Sequence, residues 1–182
     1  MSDFILDIEQ IRKAARDQME NGAVTANYQA DRNAILKMLD SALATEWICV
    51  LRYTQHAKSA QGLHAEPIAK HFFSHAQQEE DHANQLADRI KQLGGKPDLD
   101  PDTFRRRAHT QYTECNSLVD MIKENLIAER IAVDAYSAAI RFIGPSDPTT
   151  RRMLETILAV EEEHADELAD LLAAFDPREQ LN

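Results

Sequence analysis

Three observations predict an all-α chain: a four-helix bundle of two antiparallel helix hairpins joined by a long crossover, with an extra short N-terminal helix. First, the run Glu79 to Asp88 (EEDHANQLAD) returns almost unchanged as Glu161 to Asp170 (EEEHADELAD). Second, each copy is preceded by Leu-x-x-Glu with a Tyr seven residues after the Glu, as Leu43, Glu46 and Tyr53 and again as Leu126, Glu129 and Tyr136. The spacing is 33 positions from Glu46 to Glu79 and 32 from Glu129 to Glu161, which suits the rest of one long helix, a tight reversal and half of another. Third, only 5 Gly and 6 Pro occur, clustered between patterned stretches, which favours long helices over the frequent turns of a β fold.

Each element follows from its own pattern. Phe4, Ile8, Ile11 and Ala15 recur at three- and four-residue steps, predicting a short amphipathic helix that stops at Asn21-Gly22 and packs on the main body as an extension. A long helix should begin near Tyr28 to Asp31 and run to about Ala60, burying Ile35, Leu39, Leu43 and Val50 before Gly62 breaks it. Glu66-Pro67 suits the start of the next, whose face carries Ile68, Phe72, His75, Glu79, His82, Leu86 and Ile90 up to Gly94-Gly95. Segment 96–116 has weaker periodicity and reads as the crossover, with a helical turn inside. Ser117 can cap a third long helix through Leu118, Ile122, Ile127, Ile131 and Ile140 to Gly144-Pro145, and Asp147-Pro148 a fourth to about Ala174. The division expected is an extension at 1–27, the bundle at 28–176 and a short tail at 177–182.

Composition narrows the function. With 182 residues, 43% apolar and 28% charged, the chain has the balance of one soluble domain with a real core. A net charge of −11 argues against wrapping nucleic acid and is compatible with gathering cations. No apolar stretch approaches a membrane span and no basic leader precedes one, so no membrane partner and a cytoplasmic location are expected. Cys49 and Cys115 have no CxxC spacing, which leaves a rubredoxin-type iron site or a disulfide framework unsupported.

The chemistry lies in the repeated Glu-x-x-His. Residues three apart on a helix lie about 60° apart around its axis, so carboxylate and imidazole reach one point together. Carboxylate-bridged di-metal bundles take one Glu from each of two helices and one Glu-x-x-His from each of the other two. The chain offers Glu46 and Glu129 for the first role, and Glu79 with His82 and Glu161 with His164 for the second. Four carboxylates balance the charge of two divalent irons, and imidazole suits iron as well. A lone Glu-x-x-His is more often a solvated pair. Two of them, each about 33 residues behind a Glu on an apolar face, are hard to obtain by chance. Glu80, Asp81, Glu162 and Glu163 point to other sides of their helices and read as solvent-facing. Tyr53 and Tyr136 could hydrogen-bond a ligand carboxylate, carry an electron or serve as core aromatics. His56, His71 and His75 are candidates for metal passage, and Trp47 reads as packing.

With these residues in hand, the chain resembles bacterioferritin and its ferritin-like relatives over about residues 30–174. The resemblance implies a ferroxidase centre of Glu46, Glu79, His82, Glu129, Glu161 and His164 within one subunit. Tyr53 would be its nearby catalytic tyrosine, and Fe(II) would be oxidised by dioxygen or hydrogen peroxide. Two Fe ions are the expected metals, with Mn or Zn able to substitute. Haem-binding bacterioferritins carry an axial Met where Glu80 stands, so no haem is expected. Only Phe175 to Asn182 follow the fourth helix, whereas shell-forming ferritins add a fifth, so the sequence does not decide on a storage cage; a homo-oligomer, a dimer at least, is the expectation. Two alternatives use the same bundle. A rubrerythrin-type peroxidase or catalase with iron or manganese usually adds a Glu at the position of Ala132, and a DNA-protecting mini-ferritin builds its iron site between subunits.

Overall fold

The computed structural model describes residues 6–175 and is all-helical over them. It contains α1 (Ile8–Asp17), a short 3-10 turn at Met19–Asn21, α2 (Arg32–Ser59), α3 (Ala65–Gln92), α4 (Pro101–Arg107), α5 (Leu118–Ile143) and α6 (Pro148–Ala174). The expected tail at 177–182 lies outside the described residues, as does the start of the N-terminal helix at Phe4. The caps are those the sequence suggests. Asp31 accepts from the Ala34 amide, Ser117 from Asp120 and Asp147 from Thr150, each satisfying an amide that helix geometry leaves without a partner.

Four long helices form a ferritin-like bundle. α2 packs along α3 and α5 along α6 as hairpins. Cross-bundle contacts fix the directions. On α2 and α5, Arg52 meets Asn125 and Glu46 meets Tyr136; on α3 and α6, His75 meets Glu167 and Arg89 meets Thr150. In both pairs the numbers run oppositely, so α2 and α5 are antiparallel, and so are α3 and α6. It follows that α3 and α5 point the same way, and the connection between them must return along the whole bundle. A helix of 28 residues such as α2 is about 42 Å long.

The crossover does this by climbing α2. The Asp98 amide donates to Asp40, the His109 amide to Thr45, Arg52 donates to Thr110 and to the Gln111 carbonyl, and His56 reaches the Thr113 carbonyl. Arg107 clamps the lower end between the Asp40 carbonyl and Asp98. Trp47 stacks parallel on Phe104 of α4 with ring centroids 6.4 Å apart, a packing role as expected. Where the chain leaves α3, a Cβ at Gly95 would stand 2.6 Å from Leu36 Cδ2, 3.0 Å from Ile90 Cγ2 and 3.2 Å from the Ile90 carbonyl oxygen, a crowding that favours glycine there.

A polar belt divides the core into two apolar parts. Ile35, Leu39, Leu43, Leu86, Ile90, Leu154 and Ile157 fill one, and Ile68, Phe72, Met121, Ile122 and Leu168 the other. Each such side chain contributes roughly 1.5–3 kcal/mol by leaving water. Between them Glu46, Glu79, His82, Glu129, Glu161 and His164 are all buried.

Three details differ from the sequence reading, one being that Val50 of α2 is only half-buried. No residue of α1 is buried, and its stripe of Ile8 and Ile11 faces solvent instead of packing on the body. The contact with the body is made after it, by Val24, Tyr28 and Ala30. On α5, Ile127 is half exposed, because the inward face there carries Asn125, Ala128 and Glu129. Among the described residues no helix is long and apolar enough to cross a membrane.

Candidate metal centre

The belt converges on two overlapping groups. Donor atoms of Glu46, Glu79, His82 and Glu161 all lie within 4.8 Å of one another, and so do those of Glu79, Glu129, Glu161 and His164. All six ligand candidates are brought together. The two groups share Glu79 and Glu161. His82 Nδ1 stands 3.3 Å from Glu79 Oε2 and 2.9 Å from Glu161 Oε1, while His164 Nδ1 stands 3.3 Å from Glu79 Oε1 and 3.8 Å from Glu161 Oε2. Each shared carboxylate therefore turns one oxygen to each histidine. Glu46 Oε2 lies 3.7 Å from His82 Nδ1, and Glu129 belongs to the His164 side.

This donor set fits a pair of cations. Glu79 Oε1, Glu129 Oε2, both Glu161 oxygens and His164 Nδ1 are buried without a hydrogen-bond partner. Even at 2.9 Å, His82 and Glu161 are not aligned for a hydrogen bond. A buried polar atom left unpaired costs about 1–3 kcal/mol, more for a charged one, and native cores rarely collect several in one place. His164 Nε2 contacts Gln78 Oε1 at 3.1 Å; a donor there leaves Nδ1 with its lone pair toward the centre, as a ligating histidine requires.

The electrostatics agree with a site that needs positive charge. Burial pushes Glu46 and Glu129 well above the usual carboxylate range, and the neighbouring Glu79 and Glu161 push them further. Burial also acts to raise Glu79, but His164 and His82 hold it below that range. Burial opposes charge on the histidines, yet the surrounding carboxylates raise His82 to about 12 and His164 to about 9. In a chain without metal, protonated histidines take the place of the cations.

The two tyrosines cross over. Tyr53 of α2 donates to Glu129 of α5, and Tyr136 of α5 donates to Glu46 of α2. Each thus holds the single-helix glutamate of the opposite half. Tyr53 also contacts His75 Nδ1 at 3.2 Å, and His75 Nε2 lies 3.0 Å from Glu167 Oε2. Burial, His164 and His71 lower His75 to about 3. His71 joins this group, but His56 does not. It is locked between Asn125 and the Thr113 carbonyl, where it holds the crossover. Glu80, Asp81, Glu162 and Glu163 are exposed. Both cysteines are free, Cys49 buried beside Arg52.

Sequence reasoning missed Glu167 and Gln78. Glu167 had a signal, since it is one of the few positions where the second motif departs from the first, with Gln85 its counterpart. Gln78, the residue before the first ligand pair, had none.

The fold and donor set define a ferritin-like carboxylate bundle. Residues 36–176 match the Ferritin family, described as a ferritin-like domain, and the chain belongs to it. Among curated proteins it is 29% identical over 145 residues to the DNA protection during starvation protein of Pyrococcus furiosus, covering 78% of each chain. To the bacterioferritin of Mycobacterium avium it is 27% identical over 143 residues, covering 78% of this chain and 86% of that one. Among solved structures it resembles the dodecameric thioferritin of Bacteroides fragilis, a bacterioferritin-related protein. The TM-score is 0.78 and the identity 31%, with 82% of this chain and 90% of that one covered. It shares its fold with the di-iron bacterioferritin of Desulfovibrio desulfuricans at a TM-score of 0.69 and 21% identity, covering 78% of this chain and 80% of that one.

Proposed function

We propose that this chain is a ferroxidase: it binds two Fe(II) as substrate between α2, α3, α5 and α6 and passes their electrons to dioxygen or hydrogen peroxide. The observation that carries this reading is the pair of overlapping donor groups sharing Glu79 and Glu161. Glu46 and His82 hold one iron, Glu129 and His164 the other, and Glu79 and Glu161 bridge them. Glu46 reaches only the His82 side, which leaves the bridging role to Glu79 and Glu161. Two bound irons together supply the two electrons that convert dioxygen and two protons to hydrogen peroxide.

The chain's own residues prepare this step. Cation binding displaces the protons that Glu46 and Glu129 carry, and the freed carboxylates neutralise the incoming charge. Tyr53 and Tyr136 keep donating to Glu129 and Glu46, which orients each carboxylate toward its own iron. Tyr53 is the tyrosine with a polar path outward through His75. Other metals of similar size, Mn or Zn, would occupy the same donors, and neither haem nor nucleic acid enters this reading. Homo-oligomerisation, supported by the dodecameric assembly of the Bacteroides fragilis protein, and a cytoplasmic location complete the proposal.

Aerobic addition of Fe(II) to metal-free protein, followed as ferric absorbance, tests the proposal. Oxidation should run above the buffer rate and fall to it in Glu79→Ala. An unchanged rate in that variant contradicts it. Metal analysis together with a peroxide turnover assay separates a ferroxidase from an iron or manganese peroxidase of the same fold.

A further inference from the structure

Outside the paired centre, His71, His75 and Glu167 form a third group of donors within 4.8 Å of one another. His71 and His75 stand four apart on α3, a spacing that presents two imidazoles on one helix face and suits a transition metal. Glu167 reaches them from α6. Its Oε2 lies 3.0 Å from His75 Nε2 and 3.5 Å from His71 Nε2. Ligands about 2.0–2.2 Å from a tetrahedral ion stand about 3.3–3.6 Å apart, so only a small adjustment is needed.

Two further observations point to a cation. His71 Nε2 is buried without a hydrogen-bond partner although Glu167 is near. Hydrogen-bond direction also fixes the His75 tautomer. Tyr53 spends its only proton on Glu129, so its oxygen must accept from His75 Nδ1–H. His75 Nε2 faces the Glu167 carboxylate oxygen at 3.0 Å, an arrangement that a cation between them satisfies. Side-chain exposure falls from 44% at Glu167 through 27% at His71 to 2% at His75, so the group is open to solvent at one end. At the other, the His75 ring stacks on His164 with centroids 3.9 Å apart.

We propose that His71, His75 and Glu167 form a third divalent transition-metal site, standing between solvent and the Glu129–His164 half of the pair. The second motif has no such site, since Met153 and Ile157 hold the positions of His71 and His75.

The proposal builds on the paired centre but is separable from it by counting. Metal-free protein is dialysed against Co(II) or Zn(II) and bound metal is counted, with helicity checked by circular dichroism. Wild type should hold about three ions per chain, His71→Ala and Glu167→Gln about two, and Glu79→Ala, which removes the pair, about one. Anomalous scattering from a Co(II)-soaked crystal should place the extra ion at His75 Nε2. Two ions in wild type, unchanged in His71→Ala and Glu167→Gln, overturn the third site and leave the pair standing. Loss of only the pair's ions in Glu79→Ala, with one ion retained, supports it; a third ion located elsewhere overturns it.

Discussion

At the Glu46–His82 half of the centre the single-helix carboxylate is held by Tyr136, which belongs to the same apolar cluster as Ile157, Leu154 and Leu39. At the Glu129–His164 half the corresponding Tyr53 passes on to His75 and from there to Glu167 and His71 at the surface. One motif written twice thus gives two ligand sets of the same composition with different surroundings. The difference comes from a few substitutions between the copies: His75 against Ile157, His71 against Met153 and Glu167 against Gln85. The Glu and His positions of the motif are the same in both halves, whereas their neighbours differ. One half therefore faces an apolar cavity of about 600 Å³ lined by Leu39, Ala132, Tyr136 and Leu154, while the other is backed by a polar chain that reaches the surface at Glu167.

The largest effect should come from residues that belong to both halves. Glu79→Ala or Glu161→Ala removes a donor from each cation at once, so the pair is lost and ferric absorbance rises only at the buffer rate. Glu46→Gln and Glu129→Gln each disable one half. About one ion of the pair should remain in each by metal analysis, and if either variant lost both, the halves would not be separable.

Stability against pH sharpens the same picture in protein kept free of metal by chelator. Glu46 and Glu129 titrate above their ordinary value of 4.5, and His82 and His164 above 6.5, so at these four groups the folded chain binds more protons than the unfolded one. Their stabilisation is complete at low pH and is lost as pH rises through the folded values. Glu79 acts in the opposite sense below 4.5, and His56, His71, His75 and His109, all lowered chiefly by burial, act in the opposite sense until pH passes their ordinary value of 6.5. The melting temperature should fall between about pH 7, where the lowered histidines no longer oppose the trend, and about pH 9, and recover with saturating Zn(II), whose binding strengthens as protons leave. A rise over that range without metal would contradict the assignment of these groups.

The smallest effects should separate the tyrosines. Tyr136→Phe and Tyr53→Phe each remove a donor from a ligand carboxylate, which should weaken the adjacent cation by about tenfold. Tyr53→Phe should cost more, because His75 also loses its partner. Equal losses, measured by Co(II) competition, would place no weight on the asymmetry.

The bundle and the six ligand candidates were legible because both rest on periodicity: apolar residues at helical steps and a Glu-x-x-His returning at a fixed distance. What stayed hidden depends on pairing between helices. Nothing in the order of residues tells that Tyr53 reaches Glu129 rather than its own helix's Glu46, since that follows from α2 and α5 running antiparallel. Arg52 and Asn125 likewise make sense only once the crossover is seen climbing α2, where both are buried in a network that ties down residues 110–113. Ile127 and the α1 stripe show the limit of the apolar pattern itself. It marks which residues share a face, but not whether a partner covers that face.

The central claim is that six side chains from four helices grip two neighbouring cations. A crystal soaked anaerobically with Fe(II) and measured at the iron edge tests it most directly. Two anomalous peaks about 3.5–4 Å apart are predicted, one against Glu46 and His82, the other against Glu129 and His164, with Glu79 and Glu161 touching both. A single ion there, or none at full occupancy of the soak, would contradict it.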